Sequence, residues 1–219
     1  MESEQYHSEK IKEQGLLPLF YHEDTEVCIS VVSALYEGGI RAIEFTNRGD
    51  QALKNFKALV KEKHSNMKDL MLCIGTIKTA EQASKFMDAG AEVLISPVFD
   101  SSVCDVAYME KMLWIPGCST PTEIHVAEKA GCSLVKLFPG ELLKPSFISA
   151  VKPLFPNIDF MVTGGVEASK ENIAVWFQAG ASAVGLGSKL ISKEILASKD
   201  YQQISKKAKE LIDIVQSLK

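Results

Sequence analysis

Short apolar runs alternate with amphipathic segments along almost the whole chain. A polar, helix-like segment over about residues 3–14 comes first, and eight apolar runs follow it. Runs that are apolar at nearly every position are typical of parallel strands covered on both faces. The eight predicted strands are Leu16–Tyr21, Arg41–Thr46, Leu70–Thr76, Val93–Val98, Leu113–Cys118, Leu134–Phe138, Phe160–Thr163 and Ala183–Gly187.

The segments between these strands carry helix start and stop signals. Capping residues precede several of them, namely Asp24, Asp50, Thr79 with Gln82, and Thr120 with Glu123. Glycines follow several of them, as residues just past a helix end often do. The clearest predicted helices are Thr25–Gly38, Gln51–His64, Ala80–Gly90 and Ile124–Gly131.

Eight βα units without a linker or a break in composition predict a single (β/α)8 TIM barrel. We divide residues 1–219 into an N-terminal helix (1–15), a barrel core (16–190) and a C-terminal helical segment (191–219). The alternative is a doubly wound open sheet, which would carry a glycine-rich phosphate turn after its first strand. The sequence there is LLPLFYHED and contains no glycine.

Composition narrows the class of protein further. The net charge is −4 and no basic block occurs, which argues against nucleic acid or an anionic membrane as partner. No apolar run approaches the roughly 20 residues of a membrane span, and the polar N-terminus does not resemble a signal peptide. Five cysteines without a C-x-x-C pair indicate reduced thiols. We therefore expect a cytoplasmic protein.

The chemistry of a barrel gathers at the carboxyl ends of its strands. Alternation places Lys136 on one face of the sixth strand with Leu134 and Phe138, where loss of hydration favours the neutral amine that attacks carbonyls. Glu44 lies on one face of the second strand, and Arg48, just past that strand, could bind an anionic substrate. The alternative is a lysine near a strand end that simply extends towards water, and position in the fold decides between the two.

Glycine-rich loops follow the last two strands. Thr163-Gly164-Gly165 ends the seventh strand and Gly187-Ser188 ends the eighth. Backbone N–H groups at these two places are the usual phosphate site of this fold. The alternative is that the glycines serve only tight turns, but both loops at matching places favour phosphate binding.

Metal and cofactor chemistry find little support in the sequence. The four histidines are scattered, and neither H-x-H nor H-E-x-x-H occurs. We predict no metal and no cofactor. An inward lysine, an inward glutamate, an arginine and a phosphate loop together indicate an imine-forming enzyme that acts on a keto acid.

Seven motifs, in order, resemble those of the 2-dehydro-3-deoxy-phosphogluconate aldolase family, which includes 4-hydroxy-2-oxoglutarate aldolases. The motifs are GGIRAIEFTNR, IGT, ISP, IPGCSTPTE, VKLFPGE, TGGV and GLGS. The resemblance implies a homotrimeric (β/α)8 barrel that cleaves its substrate to pyruvate and glyceraldehyde 3-phosphate or glyoxylate. It implies Lys136 as the imine-forming lysine and Glu44 as the general acid/base. It also implies a pyruvate pocket formed by Arg48, Thr76 and Pro97, and a distal pocket formed by Thr163, Gly164, Gly165 and Ser188. The loop argument adds Gly187 to the distal pocket.

The chain departs from the family pattern at Tyr21, Asn47, Val98 and Leu137. None of these changes removes a catalytic role, but they leave open a 2-dehydro-3-deoxy-6-phosphogalactonate or 4-hydroxy-2-oxoglutarate substrate. An alternative from another class is a barrel that only binds a phosphorylated metabolite. A phosphosugar epimerase on the same fold is a further alternative, but it would leave Lys136 unexplained.

Overall fold

The computed structural model describes residues 2–219, with Glu2 by its backbone alone, and it confirms the (β/α)8 barrel with an added N-terminal helix. Met1, the first residue of the predicted N-terminal segment, lies outside the described residues. The strands are β1 Leu16–Phe20, β2 Ala42–Thr46, β3 Met71–Gly75, β4 Val93–Ile95, β5 Leu113–Ile115, β6 Gly117–Cys118, β7 Leu134–Leu137, β8 Asp159–Thr163 and β9 Ala183–Leu186. The helices are α1 Glu2–Gln14, α2 Thr25–Glu37, α3 Ala52–Asn66, α4 Ala80–Asp88, α5 Ser101–Met109, α6 Pro121–Lys129, α7 Gly140–Val151, α8 Lys170–Ala179, α9 Lys193–Ser198 and α10 Tyr201–Leu218.

The barrel closes through the segment predicted as its fifth strand. All strand pairs are parallel, in the order β5-β4-β3-β2-β1-β9-β8-β7-β6. The chain pairs with β4 through β5 and with β7 through β6, and Pro116 separates the two. Proline has no N–H to donate to the ladder, so the predicted continuous strand Leu113–Cys118 is divided in two. The carbonyl of Pro116 still accepts from the Lys136 N–H at 2.8 Å.

Side chains of alternate strand residues fill the barrel interior. This small apolar cluster includes Leu17, Cys73, Leu134 and Met161, and it is separate from the larger layer between strands and helices. Ile11 of α1 belongs to the interior cluster and is 1% exposed. Helix α1 therefore closes the end of the barrel opposite the strands' carboxyl ends.

Three of the four predicted caps form and one does not. Asp24 accepts from two backbone N–H groups of α2, Thr79 accepts from the Gln82 N–H, and Thr120 forms a capping box with Glu123. The prediction for Asp50 is wrong, because α3 begins one residue later, after Gln51, and no side chain caps it. Backbone turn geometry rather than a cap starts this helix.

The C-terminal helix α10 packs against α2 and α8. Its buried residues recur at helical spacing, at Ile204, Ala208, Leu211 and Val215. Gly38 permits the close approach of α2, since a Cβ there would lie 2.6 Å from the Ser205 carbonyl. Among the helices of residues 2–219, none is long and apolar enough to cross a membrane.

Candidate active site

Lys136 and Glu44 meet inside the barrel. Lys136 lies on β7 and Glu44 on β2, and the Lys136 Nζ is 3.2 and 3.3 Å from the two carboxylate oxygens of Glu44. The Lys136 side chain is 6% exposed and that of Glu44 is 1% exposed. Lys136 and Phe138 share a face as alternation predicts, with the Nζ 5.8 Å from the centre of the Phe138 ring.

A buried ion pair of this kind rarely serves stability alone. Taking two charges out of water carries a desolvation penalty that their attraction often fails to repay. Replacing both by apolar residues would fill the barrel at least as stably. The pair therefore indicates a functional site, in which a lysine that can attack a carbonyl contacts a carboxylate that can accept its proton.

Gly75 provides space for the Glu44 carboxylate, and Gly117, beside Lys136, lets the backbone at Pro97 approach closely. A Cβ at Gly75, the last residue of β3, would lie 1.9 Å from Oε1 of Glu44. Gly117 is the register partner of Lys136, and a Cβ there would lie 2.2 Å from the Pro97 carbonyl. Sequence reasoning missed both glycines as site residues, although inward glycines beside a predicted catalytic strand are a readable signal.

Thr76 and Pro97, predicted for the pyruvate pocket, follow β3 and β4 at this same end of the barrel. Both are partly buried. Thr76 has a φ of +63°, a left-handed conformation that a β-branched residue rarely adopts. Such strain persists where the surrounding structure requires it, and it is concentrated at functional sites.

A cavity of about 300 Å³, with Phe138 in its wall, is lined by the remaining predicted site residues. Arg48 reaches it from the end of β2 as an exposed side chain, and the loops after β8 and β9 form the far wall. Its lining residues are Leu19, Arg48, Phe138, Glu141, Thr163, Gly164, Gly165, Val166, Glu167, Gly185, Gly187, Ser188 and Lys189. Sequence reasoning did not select Glu141, Glu167 or Lys189, although Glu141 ends a selected motif and the other two directly follow one.

Residues of both loops that line this cavity carry unpaired hydrogen-bond donors. Within residues 2–219, the backbone N–H groups of Gly165, Ser188 and Lys189 have no acceptor. The Thr163 hydroxyl is buried and likewise without a partner there. Buried polar groups are normally paired, so an orphan hydroxyl beside free N–H groups fits a ligand with several acceptor oxygens.

The cavity also contains carboxylates. A Cβ at Gly164 would lie 2.2 Å from Oε2 of Glu141, and one at Gly165 would lie 2.7 Å from the Glu141 backbone. Both glycines have a positive φ, of +91° and +69°. The β8–α8 loop thus packs tightly on the first turn of α7, where a carboxylate is favoured by the helix dipole.

Two further observations concern the thiol inside the barrel and the arrangement of metal-binding side chains. Burial, together with the neighbouring Glu44 carboxylate, raises the pKa of the Cys73 thiol inside the barrel well above its usual value, so this thiol is a poor nucleophile. Across residues 2–219, no group of three or more histidine, cysteine, aspartate or glutamate side chains is arranged to hold a metal ion.

Comparison with known proteins identifies a matching family and several relatives of this chain. The family model described as "Aldolase: KDPG and KHG aldolase" matches residues 8–207. The 2-dehydro-3-deoxy-phosphogluconate aldolase of Treponema pallidum is 30% identical over 208 residues, which are 94% of this chain and 96% of that protein. The 2-dehydro-3-deoxy-6-phosphogalactonate aldolase of Escherichia coli is 30% identical over 186 residues, 84% of this chain and 88% of the other.

A solved structure shares the fold. The KDPG aldolase of Legionella pneumophila, determined with pyruvate captured as a covalent carbinolamine intermediate, superposes with a TM-score of 0.85 at 23% identity. The superposition covers 92% of this chain and 96% of that one.

Proposed function

The chain belongs to the KDPG and KHG aldolase family and is therefore an aldolase, a lyase, and we propose that it cleaves 2-dehydro-3-deoxy-6-phosphogluconate (KDPG) through an imine at Lys136. The products are pyruvate and glyceraldehyde 3-phosphate. The observation that carries this proposal is the contact between the Lys136 Nζ and the Glu44 carboxylate, at 3.2 Å, buried inside the barrel.

The reaction begins with carbonyl attack. Glu44 accepts a proton from the Lys136 ammonium, and the neutral amine adds to the C2 keto carbon to give a carbinolamine. Loss of water then leaves a protonated imine. Capture of pyruvate as a carbinolamine in the Legionella pneumophila aldolase supports the same first step here.

Carbon–carbon cleavage uses the imine as an electron sink. A base removes the proton of the C4 hydroxyl, the C3–C4 bond breaks, and its electron pair forms an enamine as the aldehyde leaves. Protonation at C3 and addition of water then release pyruvate and free Lys136. Glu44 is the group in contact with the reacting nitrogen, and we assign these proton transfers to it.

Two ends of the substrate meet different groups. We assign the pyruvate end to Thr76 and Pro97, beside the two glycines that border the ion pair, with Arg48 holding the carboxylate. We assign the distal end to Thr163, Gly164, Gly165, Gly187 and Ser188. Backbone and hydroxyl donors of this kind suit an anion with several oxygens.

The choice of substrate rests on the distal donors. Free N–H groups of Gly165 and Ser188 favour a phosphorylated substrate over 4-hydroxy-2-oxoglutarate, which lacks phosphate. A phosphogalactonate substrate differs from KDPG only in stereochemistry, and relatives of similar identity act on each. Pyruvate release from both epimers and from 4-hydroxy-2-oxoglutarate distinguishes the three.

Covalent trapping tests the mechanism. Incubation with pyruvate and borohydride should reduce the imine and add one pyruvyl group, which peptide mass spectrometry locates at Lys136. Lys136→Ala should abolish labelling, and Lys193→Ala, which removes an exposed lysine on α9, should leave it intact. Labelling at another lysine would overturn the assignment, and a folded chain that binds phosphate but is never trapped would be a non-catalytic binding barrel.

The family resemblance also supports a homotrimer as the assembly that we propose. Sedimentation equilibrium of the purified chain tests it directly, because a trimer and a monomer differ threefold in mass.

A further inference from the structure

We propose that Lys189 is a specificity-determining residue that binds the anionic distal group of the substrate, and that Glu167 holds this lysine in place while the site is empty. The proposal rests on the proposed function and deepens it, because it names the residue that makes the cavity select an anion. Lys189 directly follows Ser188 and lines the same cavity.

A tight turn presents Lys189 to the cavity. The carbonyl of Gly187 accepts from the N–H groups of Leu190 and Ile191, at 3.0 and 2.9 Å. This turn buries Leu190 and leaves Ser188 and Lys189 exposed at the cavity wall, each with a free backbone N–H. The ammonium and two N–H donors are therefore carried by adjacent residues.

Lys189 is paired across the mouth of the cavity to the neighbouring loop. Its Nζ lies 3.0 Å from Oε1 of Glu167, which follows β8. The Glu167 N–H donates to Oδ1 of Asn172 at 2.8 Å, and this bond fixes the loop to α8. Glu167 thus holds the lysine beside the donors of the opposite loop.

The ion pair between Lys189 and Glu167 is weak enough for Lys189 to leave it and bind an anionic ligand instead. The two side chains are 54% and 51% exposed, and pairs this exposed contribute little to stability. Lysine carries its charge on a flexible four-carbon stem, so the ammonium can turn from Glu167 to a ligand without movement of the backbone. Hydrogen bonds from an ammonium to phosphate are shorter and stronger than those between neutral groups.

The charges around the cavity show why a lysine is needed. Two cations, Arg48 and Lys189, and two carboxylates, Glu141 and Glu167, line it. If Arg48 binds the carboxylate at the pyruvate end, the N–H donors at the distal end stand beside the Glu141 carboxylate without a cation of their own. A dianion placed there is repelled by Glu141 unless Lys189 leaves Glu167 and compensates.

Steady-state kinetics of Lys189→Met test the proposal with two substrates, KDPG and the same keto acid without phosphate. We expect KM for KDPG to rise about tenfold with kcat little changed, and KM for the unphosphorylated acid to stay the same. Glu167→Gln should act in the opposite direction and lower KM for KDPG, because it releases Lys189. Lys193→Met removes an exposed charge on α9 and serves as the matched control.

Binding of inorganic phosphate, measured by calorimetry, provides a readout that does not depend on turnover. Wild type should bind phosphate about tenfold more tightly than Lys189→Met. Equal phosphate affinity, or a KM for KDPG equal to that of wild type, would overturn the proposal and leave Lys189–Glu167 a surface ion pair. If wild type releases no pyruvate, the proposed function fails, and the phosphate measurement still decides the role of Lys189.

Discussion

No side chain can occupy position 75 while Glu44 keeps its place. A Cβ at Gly75 would lie 1.9 Å from Oε1 and 2.6 Å from Cδ of Glu44, far inside van der Waals contact. The φ of Gly75 is not positive, so alanine is compatible with the backbone there. The glycine is therefore required by its neighbour on β2 and not by its own conformation.

Gly75→Ala is therefore expected to displace the Glu44 carboxylate from Lys136. Turnover should fall by about 10²-fold or more, because a small misplacement of a catalytic group has effects of this size. Steady-state pyruvate release measures the loss, and thermal unfolding checks that the barrel remains folded. Unchanged kcat in a folded variant would show that the proton transfers do not depend on this carboxylate.

Glu44→Gln separates proton transfer from imine formation. The amide keeps the shape of the side chain and can still contact the Lys136 nitrogen, but it cannot accept a proton. We expect kcat to fall by about 10²–10⁴, the usual range for loss of a general acid/base. Borohydride trapping of pyruvate at Lys136 should continue, although more slowly. Near-normal turnover would assign the proton work to another group, for which Glu141 is the next carboxylate in the cavity.

The sequence predicts the fold and the inward position of Lys136 and Glu44 because both depend on local periodicity. Eight apolar runs with intervening helices define the barrel, and alternation alone turns Lys136 and Glu44 inward. The break at Pro116 was not predicted, because it depends on how the barrel closes between β4 and β7.

Hydrophobic periodicity does not predict contacts between residues that are far apart in the sequence. Gly75 pairs with Thr46, so its role depends on the side chain of Glu44, two residues earlier on β2, reaching diagonally towards it. Lys189 and Glu167 are 22 residues apart in sequence and meet only because β8 and β9 are neighbours. The motif GLGS identifies Ser188 as a site residue but ends one residue before Lys189, which lines the same cavity.

Ser188→Ala tests the distal contact itself. The exposed Ser188 hydroxyl lines the cavity beside its own free N–H, so it would contact phosphate both before and during bond cleavage. We expect KM for KDPG to rise by about ten- to a hundredfold, the equivalent of one lost hydrogen bond to a charged group, with a smaller change in kcat. Kinetics with KDPG and its unphosphorylated analogue measure this split.

A stronger version of this test introduces a repulsive charge. Ser188→Asp sets a carboxylate against phosphate at an exposed position, whereas substitution of Gly165 would strain a backbone with φ of +69°. The aspartate variant should lose activity on KDPG selectively. Equal kcat/KM for both substrates in wild type, with no inhibition by phosphate, would instead favour a short substrate such as 4-hydroxy-2-oxoglutarate.

The ion pair between Lys12 and Asp159 connects the closing helix α1 to β8, and it should make stability depend on pH. The Lys12 Nζ lies 2.9 Å from Oδ2 of Asp159, and the Ser182 hydroxyl donates to Oδ1 at 2.7 Å. Burial opposes the charge on Asp159, but hydrogen bonds from Lys12 and Ser182 outweigh it and lower the pKa of this carboxyl. Burial likewise opposes the charge on Lys12, but hydrogen bonds to Glu9 and Asp159 raise its pKa.

The directions of these two pKa shifts define the pH range in which Asp159→Asn should destabilise the protein. A lowered carboxyl pKa stabilises the fold above its ordinary value of 3.8, and this stability disappears as pH falls through the lowered pKa. The raised pKa of Lys12 keeps its contribution present up to its ordinary value of 10.5.

At neutral pH the variant should lose about 0.5–1 kcal/mol of unfolding free energy, a small value because the pair is partly exposed. Urea unfolding at neutral and strongly acidic pH measures the difference, with Glu81→Gln in the more exposed pair with Lys85 as the control that should show a smaller one. A deficit that persists in acid would assign the stabilisation to the Ser182 hydrogen bond rather than to charge.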